Sequence, residues 1–261
     1  MSEVRPKKNL GQHFLNDKNI AHRIVDSLIA DNSDAVVEVG PGMGVLTADL
    51  LNKFGQKFFA VEVDEESVNY LKQKFPELIP NLIFGDFLNF NLSKQFNGMI
   101  ALIGNFPYNI SSQIFFRILE NRNQVREVVC MVQREVALRI SEKPGTKTYG
   151  ILSVLLQAYF DIKYLFTVNE GVFTPPPRVK SAVIRLERNN TLKLDCNEEL
   201  FVKVVKAGFN QRRKTLRNSI RAAFPNAEIS SKFSDNRPER LSVTEFVELT
   251  NEIEGNLTSR N

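Results

Sequence analysis

Short apolar runs alternate with segments of helical periodicity along most of the chain. Each run that predicts a buried strand is followed by a loop, and in several cases by apolar residues spaced three or four apart, as in a helix. The predicted strands are Ala35–Val39, Phe58–Val63, Leu82–Phe84, Met99–Ile103, Glu127–Val132, Ile162–Val168 and Val179–Leu186. This alternation predicts an α/β fold with a Rossmann-like, mostly parallel sheet and right-handed connections.

The C-terminal region has a different pattern. From about Glu198 the apolar spacing is helical to the end of the chain and predicts no strand. Asn189-Asn190 is typical of a turn, so we predict a catalytic domain at residues 1–188 and a small all-α domain at residues 189–261. A long apolar helix is expected after Tyr149. Val172-Phe-Thr-Pro-Pro-Pro177 predicts a stiff extended loop, because proline does not fit a helix interior.

Composition narrows the class of protein. Of 261 residues, 43% are hydrophobic and 25% are charged, which is ordinary for a soluble globular protein. No apolar run is long enough to cross a membrane, and the basic N-terminal residues precede no apolar segment, so neither a membrane protein nor a secretory signal is predicted. The two cysteines lack metal-ligand spacing and favour a reducing compartment, so we expect a cytoplasmic location.

A glycine loop follows the first predicted strand. Gly40-Pro-Gly-Met-Gly44 before a helical pattern is typical of nucleotide binding, since glycine lets the backbone turn sharply and approach a ligand. Gly40 and Gly42 are therefore candidate cofactor contacts. Glu62 ends the next strand, where a carboxylate can accept hydrogen bonds from both hydroxyls of a ribose. Pro41 offers no N–H to a phosphate, which favours S-adenosylmethionine over NAD or FAD. A plain strand–turn–helix would share the pattern.

The loop Gly104-Asn-Phe-Pro-Tyr-Asn109 follows the fourth predicted strand and suggests chemistry on an adenine amine. Such an amine is a weak nucleophile, and two acceptors on its two hydrogens would aim its lone pair at a methyl donor. The Asn105 side-chain oxygen is one candidate acceptor. The Phe106 carbonyl is the other, because Pro107 holds the preceding residue extended. Tyr108 is expected to stack on the base. A turn with an aromatic anchor is the alternative.

Asp86 follows the third predicted strand and is a candidate partner for the adenine amine of the cofactor, although alone it would suggest a loop acid or helix cap. No metal is required for this chemistry, and the sequence has only two histidines, His13 and His22. A phenylalanine such as Phe173 is by itself more often a core residue, but the prolines beside it favour an exposed ring. Phe173 and Tyr108 are then expected to sandwich a base that has left its stack.

The net charge of +4 is a weak sign of a nucleic-acid partner, but its distribution is more informative. The segment from Leu200 to Phe224 contains basic residues and no acid, and Arg213, Arg217 and Arg221 are spaced to share one helix face. Such a surface would neutralise RNA phosphates without reading sequence. A solvated charged face is the alternative. The basic residues of the segment are Lys203, Lys206, Arg212, Arg213, Lys214, Arg217 and Arg221.

Taken in order, several segments resemble the ribosomal RNA adenine N6,N6-dimethyltransferase family over nearly the whole chain. They are Lys8–Leu15, Val37–Gly42, Val61–Asp64, Gly85-Asp86, Gly104–Ser111, Phe173–Pro177, Val179–Val183 and Phe209–Asn218. The resemblance implies a class I methyltransferase sheet and S-adenosylmethionine contacts from His13, Leu15, Gly40, Glu62, Asp86 and Asn105. It also implies that Asn105, Tyr108 and Phe173 serve the target base. Two departures are Phe106, where the family more often has leucine, and His13, where asparagine is also common.

The resemblance further implies a substrate. It is a pair of adjacent adenosines near the 3′ end of small-subunit (16S) rRNA, each methylated twice in a 30S-type assembly intermediate, and we expect a monomer. Three alternatives stay open: a related methyltransferase of large-subunit rRNA that confers antibiotic resistance, a non-catalytic assembly or transcription factor on the same fold, and an NAD oxidoreductase. The segment Gln211–Arg217 favours the small-subunit enzyme, and the intact 105–108 loop disfavours the non-catalytic factor. Cofactor titration would separate the NAD oxidoreductase.

Overall fold

The strands lie close to the predicted apolar runs. The computed structural model describes residues 4–258, so the first three residues considered for a secretory signal lie outside the described part. The strands are β1 (Phe14–Leu15), β2 (Ala35–Val39), β3 (Phe58–Glu62), β4 (Leu82–Phe84), β5 (Ile100–Asn105), β6 (Val125–Gln133), β7 (Phe160–Val168), β8 (Phe173–Thr174) and β9 (Ser181–Arg188).

The helices are short, and the predicted long helix after Tyr149 covers only seven residues. They are α1 (Lys18–Asp26), α2 (Thr47–Phe54), α3 (Glu65–Lys74), α4 (Leu92–Gln95), α5 (Ser111–Glu120), α6 (Arg134–Ser141), α7 (Ile151–Gln157), α8 (Glu198–Asn210), α9 (Leu216–Ala223), α10 (Ser231–Ser234) and α11 (Val243–Thr258). Within residues 4–258, none of them has the length and apolar character needed to cross a membrane.

Short polar side chains begin several of these helices. Asp17 accepts hydrogen bonds from the backbone N–H groups of Asn19 and Ile20 at the start of α1, at 2.8 and 3.1 Å. Asn197 accepts from the N–H of Leu200 at the start of α8. The first N–H groups of a helix have no partner inside it, so a side-chain acceptor at this position stabilises the helix and fixes where it starts.

Seven strands form one sheet in the order β4-β3-β2-β5-β6-β9-β7. The pairs from β4 to β6 are parallel, and β9 runs antiparallel to β6. Chain order reverses between β2 and β5, which lie side by side although two strands separate them in sequence. Ligands of open α/β sheets bind at the carboxyl ends of the strands beside such a reversal. The topology therefore places the glycine loop after β2 and the loop after β5 next to each other.

Every residue of β2 and all but the last of β5 are buried. Successive side chains of a strand point to opposite faces, so both faces of the sheet are covered here. The predicted Rossmann-like α/β sheet is confirmed. A separate two-stranded sheet joins β1 to β8, with Leu15 opposite Phe173. Residues 173–174 are extended, whereas Val172, which was expected in the extended loop, ends a short 3₁₀ helix. The pairing of residues 173–174 with residues 14–15 was not anticipated.

The chain forms two compact units, one of residues 1–137 and 161–188 and the other of residues 138–160 and 189–261, although only residues 4–258 are described. The last change from the first unit to the second falls at Asn189, and residues 138–160, which were expected in the first domain, lie in the second unit. They join the second unit because the apolar side of α7 packs against α8 and α11, and the Tyr149 ring lies 6.3 Å from that of Phe209. The second unit is helical, as predicted.

A buried carboxylate ties three parts of the first unit together. Glu127 on β6 accepts hydrogen bonds from the backbone N–H groups of Ile29 and Ala30, at 3.2 and 2.6 Å. One of its oxygens lies 2.7 Å from Nε of Arg185 on β9, and the side chains of Glu127 and Arg185 are 4% and 14% exposed. Removing the acid would leave the two N–H groups without their acceptor, and would leave the mostly buried Arg185 with only the partly exposed Glu187 as an acidic partner.

We therefore expect Glu127→Ala to lower the free energy of unfolding by about 3–5 kcal/mol, measured by urea denaturation. The matched control is Glu187→Ala. Glu187 also pairs with Arg185, but its side chain is 44% exposed, so its loss should cost less than about 1 kcal/mol. Equal effects of the two substitutions would contradict the assigned role of Glu127.

Candidate active site

The loops at the carboxyl edge of the sheet surround one cavity of about 260 Å³ in the first unit. Gly40, Glu62, Asp86 and Asn105, which lie at the ends of four different strands or in the loops after them, all line it. Residues 10–15 form a further wall that apolar periodicity did not indicate and that only the resemblance suggested, through His13 and Leu15. The cavity therefore has the position expected of a nucleotide-type site in an open α/β sheet.

The glycine loop approaches its surroundings closely. Gly40 has a φ of +70°, and a side chain built there would project into open space. Gly42 has a φ of +55°, and a Cβ atom there would lie 2.8 Å from the Phe14 ring. Both residues adopt the left-handed region that glycine tolerates without strain. The loop thus leaves space beside Gly40 for a ligand and packs tightly beside Gly42 against the wall formed by residues 10–15.

Glu62 is buried and holds the glycine loop. One carboxylate oxygen accepts the N–H groups of Val63 and Asp64 at 2.9 Å, and the other accepts the N–H of Gly42 at 3.0 Å. Burial raises the pKa of the Glu62 carboxyl, and these backbone hydrogen bonds oppose the rise. A carboxylate has about four acceptor positions, so roughly one remains. In this conformation Glu62 therefore has too few unoccupied acceptor positions to bind both hydroxyls of a ribose, the contact that was predicted.

Glu38, on β2, lines the same cavity and was not among the predicted site residues. Its side chain accepts a hydrogen bond from the Thr47 hydroxyl at 2.6 Å. Burial raises the pKa of the Glu38 carboxyl to about 8; the Thr47 hydrogen bond opposes the rise and the Glu62 charge adds to it. An acid within the apolar strand Ala35–Val39, directly before the glycine loop, was the signal available in the sequence. At neutral pH this carboxyl is largely protonated and can donate a hydrogen bond.

Asp86 lies in the loop after β4 and lines the cavity. One of its oxygens accepts the N–H of Leu88 at 2.9 Å and the other accepts from the Asn89 side chain at 2.8 Å. The first of these is a turn of the type in which an aspartate binds its own backbone two residues on. Asp86 therefore shapes its loop, and each oxygen retains acceptor capacity for a ligand.

Asn105, the last residue of β5, lines the cavity, and its side-chain Nδ2 donates to the His13 carbonyl at 2.9 Å. The amide oxygen is thereby turned away from that carbonyl. The Phe106 N–H donates to the Met131 carbonyl, and the Phe106 ring is fully buried against Phe115. Among residues 4–258, neither the Asn105 side-chain oxygen nor the Phe106 carbonyl accepts a hydrogen bond. Two neighbouring acceptors are thus open at the cavity.

Tyr108 is held at its ring and at its hydroxyl. The ring stacks against the imidazole of His13, with centroids 5.3 Å apart and planes 28° apart. The hydroxyl shares a short hydrogen bond with the Ser181 hydroxyl. His13 in turn forms a hydrogen bond of 2.7 Å between Nδ1 and the Pro175 carbonyl. His13 therefore connects residues 10–15, the Asn105 loop and the proline loop.

Phe173 does not lie at the exposed position that its proline neighbours predicted. Its side chain is 3% exposed and belongs to the hydrophobic core of the first unit, and it does not line the cavity. The pairing of Phe173 with Leu15 across β1 and β8 turns the ring inward. The predicted exposure of this ring beside a target base is therefore wrong. Leu15 is also buried, but it does line the cavity.

Lys7, a basic residue of the N-terminal segment, is paired with two acids. The Lys7 ammonium forms a short ion pair with Asp64 and lies 3.4 Å from Glu66 at the start of α3. The hydrogen bond to Asp64 raises the pKa of Lys7. Because Asp64 follows Glu62 by two residues, this ion pair anchors residues 7–15 beside the cavity. Lys7 therefore stabilises the wall of the cavity.

In the second unit, the basic segment is broken between α8 and α9. Residues 211–215 form a turn, so the predicted common helix face holds for Arg217 and Arg221 but not for Arg213. The Arg212 guanidinium donates to the carbonyls of Lys147 and Tyr149, which indicates a structural role. All the basic residues of the segment are exposed, Arg212 included; the others are Lys203, Lys206, Arg213, Lys214, Arg217 and Arg221. The exposed guanidinium of Arg217 also lies 3.0 Å from Asp235.

A strand-edge cavity with a glycine loop, a buried acid after the next strand and an Asn-x-Pro-Tyr loop defines a class of nucleotide-cofactor-dependent α/β transferases. A family model described as ribosomal RNA adenine dimethylase matches residues 4–254. The chain therefore belongs to the ribosomal RNA adenine dimethylase family.

Individual relatives agree with this assignment. A protein of Cytophaga hutchinsonii named ribosomal RNA small subunit methyltransferase A is 54% identical over 257 residues, covering 98% of this chain and all of the relative. A Parabacteroides distasonis protein of the same name is 54% identical over 252 residues, 96% of this chain and 94% of its own length. A solved dimethyladenosine transferase from Plasmodium falciparum has a TM-score of 0.79 at 23% identity, covering 94% of this chain and 98% of its own. The solved 23S rRNA methyltransferase ErmE has a TM-score of 0.69 at 23% identity, covering 92% of this chain and 99% of its own, so the fold is shared.

Glu38 allows a test of the electrostatics of the cavity. Because its pKa is about 8 in the folded chain and ordinarily 4.5, the folded state binds more protons between these values. The contribution of Glu38 to stability is therefore fully present below about pH 4.5 and is lost as pH rises towards 8. Glu38→Gln stays neutral and keeps an acceptor for Thr47. Its free energy of unfolding should fall less over this window, by a difference on the order of a few kcal/mol.

Urea denaturation at about pH 5, 6.5 and 8 measures this difference. The exposed acid Glu65 at the start of α3 supplies the control, since Glu65→Gln should follow the wild-type pH dependence. If Glu38→Gln also loses stability in parallel with the wild type, Glu38 is ionised in the folded chain and the assignment fails.

Proposed function

We propose that this chain is an rRNA (adenine-N6,N6-)-dimethyltransferase. It transfers methyl groups from S-adenosylmethionine to two adjacent adenosines near the 3′ end of small-subunit rRNA. The observation that carries the proposal is the pair of open acceptors at the cavity, the Asn105 side-chain oxygen and the Phe106 carbonyl. The relatives named as small-subunit rRNA methyltransferases, 54% identical over nearly the full chain, support the substrate.

The character of the cavity suits S-adenosylmethionine. Its lining combines apolar side chains such as those of Val61, Val63 and Phe87, which suit an adenine ring, with the carboxyl groups of Glu38 and Glu62. The open space beside Gly40 gives a ligand access to the loop backbone. We infer that Gly40, Gly42, Glu62, Asp86, Asn105 and the segment containing His13 and Leu15 hold the cofactor. When bound, the cofactor supplies an electrophilic methyl group on a positively charged sulfur.

The Asn105 loop would prepare the nucleophile. The two hydrogens of an adenine amine donate to the Asn105 oxygen and the Phe106 carbonyl, so the nitrogen lone pair is freed from the ring as the new bond forms. Pro107 keeps the Phe106 carbonyl in an extended segment. Tyr108 supplies a ring against which the base stacks, while His13 covers part of its surface. No strong general base is required, because the methylated ammonium product is acidic enough to release its proton to water.

RNA affinity would come mainly from the second unit. Arg213, Lys214, Arg217 and Arg221 are exposed and can contact phosphates, which supplies affinity without sequence information. Arg212 enters this proposal in a supporting role, because its guanidinium binds carbonyls of its own unit. We accordingly propose that the catalytic domain binds the cofactor and that the helical domain binds rRNA.

The wider setting follows from the substrate. A small-subunit rRNA target places the protein in the cytoplasm, on a 30S-type assembly intermediate in which the adenosines are reachable. We propose that the protein acts as a monomer. ErmE supports the large-subunit alternative only through a shared fold, because its identity to this chain is 23%. The relatives that are 54% identical are named small-subunit methyltransferases and favour the small-subunit substrate.

Asn105→Ala should reduce methyl transfer by about 10²- to 10³-fold, because the reacting amine then lacks one of its two acceptors. The assay is transfer of labelled methyl groups from S-adenosylmethionine to under-methylated small subunits, with the modified positions mapped. RNA binding should persist, and Asn52→Ala, at an exposed position of α2, should behave as wild type. Wild-type turnover by Asn105→Ala, or failure of the wild-type protein to label small-subunit RNA, would overturn the proposal.

Replacing Arg213 and Arg217 by alanine should weaken RNA binding. The slope of log affinity against log salt should become shallower by about one for each phosphate that the protein no longer neutralises. Binding of small-subunit rRNA at several salt concentrations measures the slope. Lys57→Ala is the matched control, because Lys57 is an exposed cation just before β3, at the sheet edge opposite the cavity. An unchanged slope in the arginine variant would remove these residues from the RNA surface.

A further inference from the structure

The hydroxyl of Tyr108 ends in a buried polar contact rather than in solvent. Its ring is partly exposed and lines the cavity, yet the phenol oxygen forms a short hydrogen bond with Ser181, which is fully buried. Burial raises the pKa of the Tyr108 phenol, and the bond to Ser181 opposes the rise. The tyrosine therefore presents its ring to the cavity while its hydroxyl is fixed within the first unit.

The sheet explains why a serine of a distant segment reaches this point. Asn105 at the end of β5 lies opposite Met131 on β6, and Gln133 at the end of β6 lies opposite Ser181 on β9. Because β9 is antiparallel, its first residue lies at the same edge as the last residues of the parallel strands. The start of β9 is thus brought beside the loop after β5 by strand register alone.

The two hydroxyls satisfy each other. A buried hydroxyl without a partner is costly, and Ser181 has no exposure through which water could serve it. The hydrogen bond also limits the rotation of the Tyr108 side chain, because its ring is already stacked on His13. With one ring contact and one hydroxyl contact, both the position and the plane of the ring are determined.

We propose that Ser181 is a positioning residue for the target base. It holds the Tyr108 ring at the height and tilt at which a stacked adenine presents its amine to the Asn105 oxygen and the Phe106 carbonyl. This inference rests on the proposed function of the 104–109 loop. It gives Ser181, within the Val179–Val183 segment, a role in the reaction although it touches neither cofactor nor RNA.

The test is a double-mutant cycle of Ser181→Ala and Tyr108→Phe, which remove the two ends of one hydrogen bond. Each is expected to lower kcat for methylation of under-methylated small subunits by about tenfold, because small displacements of a reacting group reduce rate steeply. The KM for the subunits should change little, since phosphate contacts elsewhere supply most of the affinity. The double variant should be no slower than either single one, because each single substitution already abolishes the same hydrogen bond.

Two further measurements distinguish a loss of Tyr108 positioning from general damage to the cavity. The dissociation constant for S-adenosylmethionine, measured by calorimetry without RNA, should stay within about twofold of wild type in both variants. Ser33→Ala is the matched control, since Ser33 is a buried serine of the same unit whose hydroxyl has no partner within the described part of the chain. It should leave kcat unchanged.

Additive effects of the two substitutions, or full kcat in Ser181→Ala, would overturn the positioning role. A fall in cofactor affinity that matches the fall in kcat would also overturn it, because the serine would then support the cavity as a whole. Asn105→Ala distinguishes the two levels of inference. If that variant is inactive while Ser181→Ala is fully active, the inference about Ser181 fails and the proposed function stands.

Discussion

The arrangement of the site depends on the hydrogen bond from the Asn105 side chain to the His13 carbonyl. An amide can face a neighbour with its nitrogen or its oxygen, and a carbonyl partner selects the nitrogen. The oxygen is then left as an acceptor beside the Phe106 carbonyl. His13 lies in a segment that is itself fixed, because Leu15 pairs with Phe173 and Lys7 binds Asp64. Remote contacts thus determine the chemistry that the loop offers.

Two buried acids give the cavity its second property. Glu62 is surrounded by backbone N–H groups, which partly offset the cost of burying a charge. Within the described residues 4–258, the Glu38 carboxyl receives only the Thr47 hydroxyl, so burial dominates and its pKa rises to about 8. The two carboxyl groups therefore differ in character although both line one cavity. The difference follows from the number of hydrogen-bond donors around each carboxyl group: three backbone N–H groups at Glu62 and one hydroxyl at Glu38.

The strands and the four loops at their carboxyl edge could be predicted, because buried parallel strands are continuous apolar runs and Glu62, Asp86 and Asn105 follow them directly. Contacts between segments that are distant in the sequence could not be predicted. Strands β1 and β8 have two residues each, too few for any periodicity, and only their pairing buries Phe173. The raised pKa of Glu38 likewise depends on enclosure by other segments, which local sequence does not encode.

The helical unit is assembled from two separate stretches of chain, since residues 138–160 interrupt the strands of the first unit. Its helix α7 is largely buried, with Val154, Leu155 and Leu156 among its apolar residues. A protein fragment that ends at Arg188 would therefore contain α7 but lack α8 and α11, the helices against which α7 packs. The two units are not interchangeable modules joined end to end. Any grafting of this methylating core onto another RNA-binding domain must carry both stretches or replace them together.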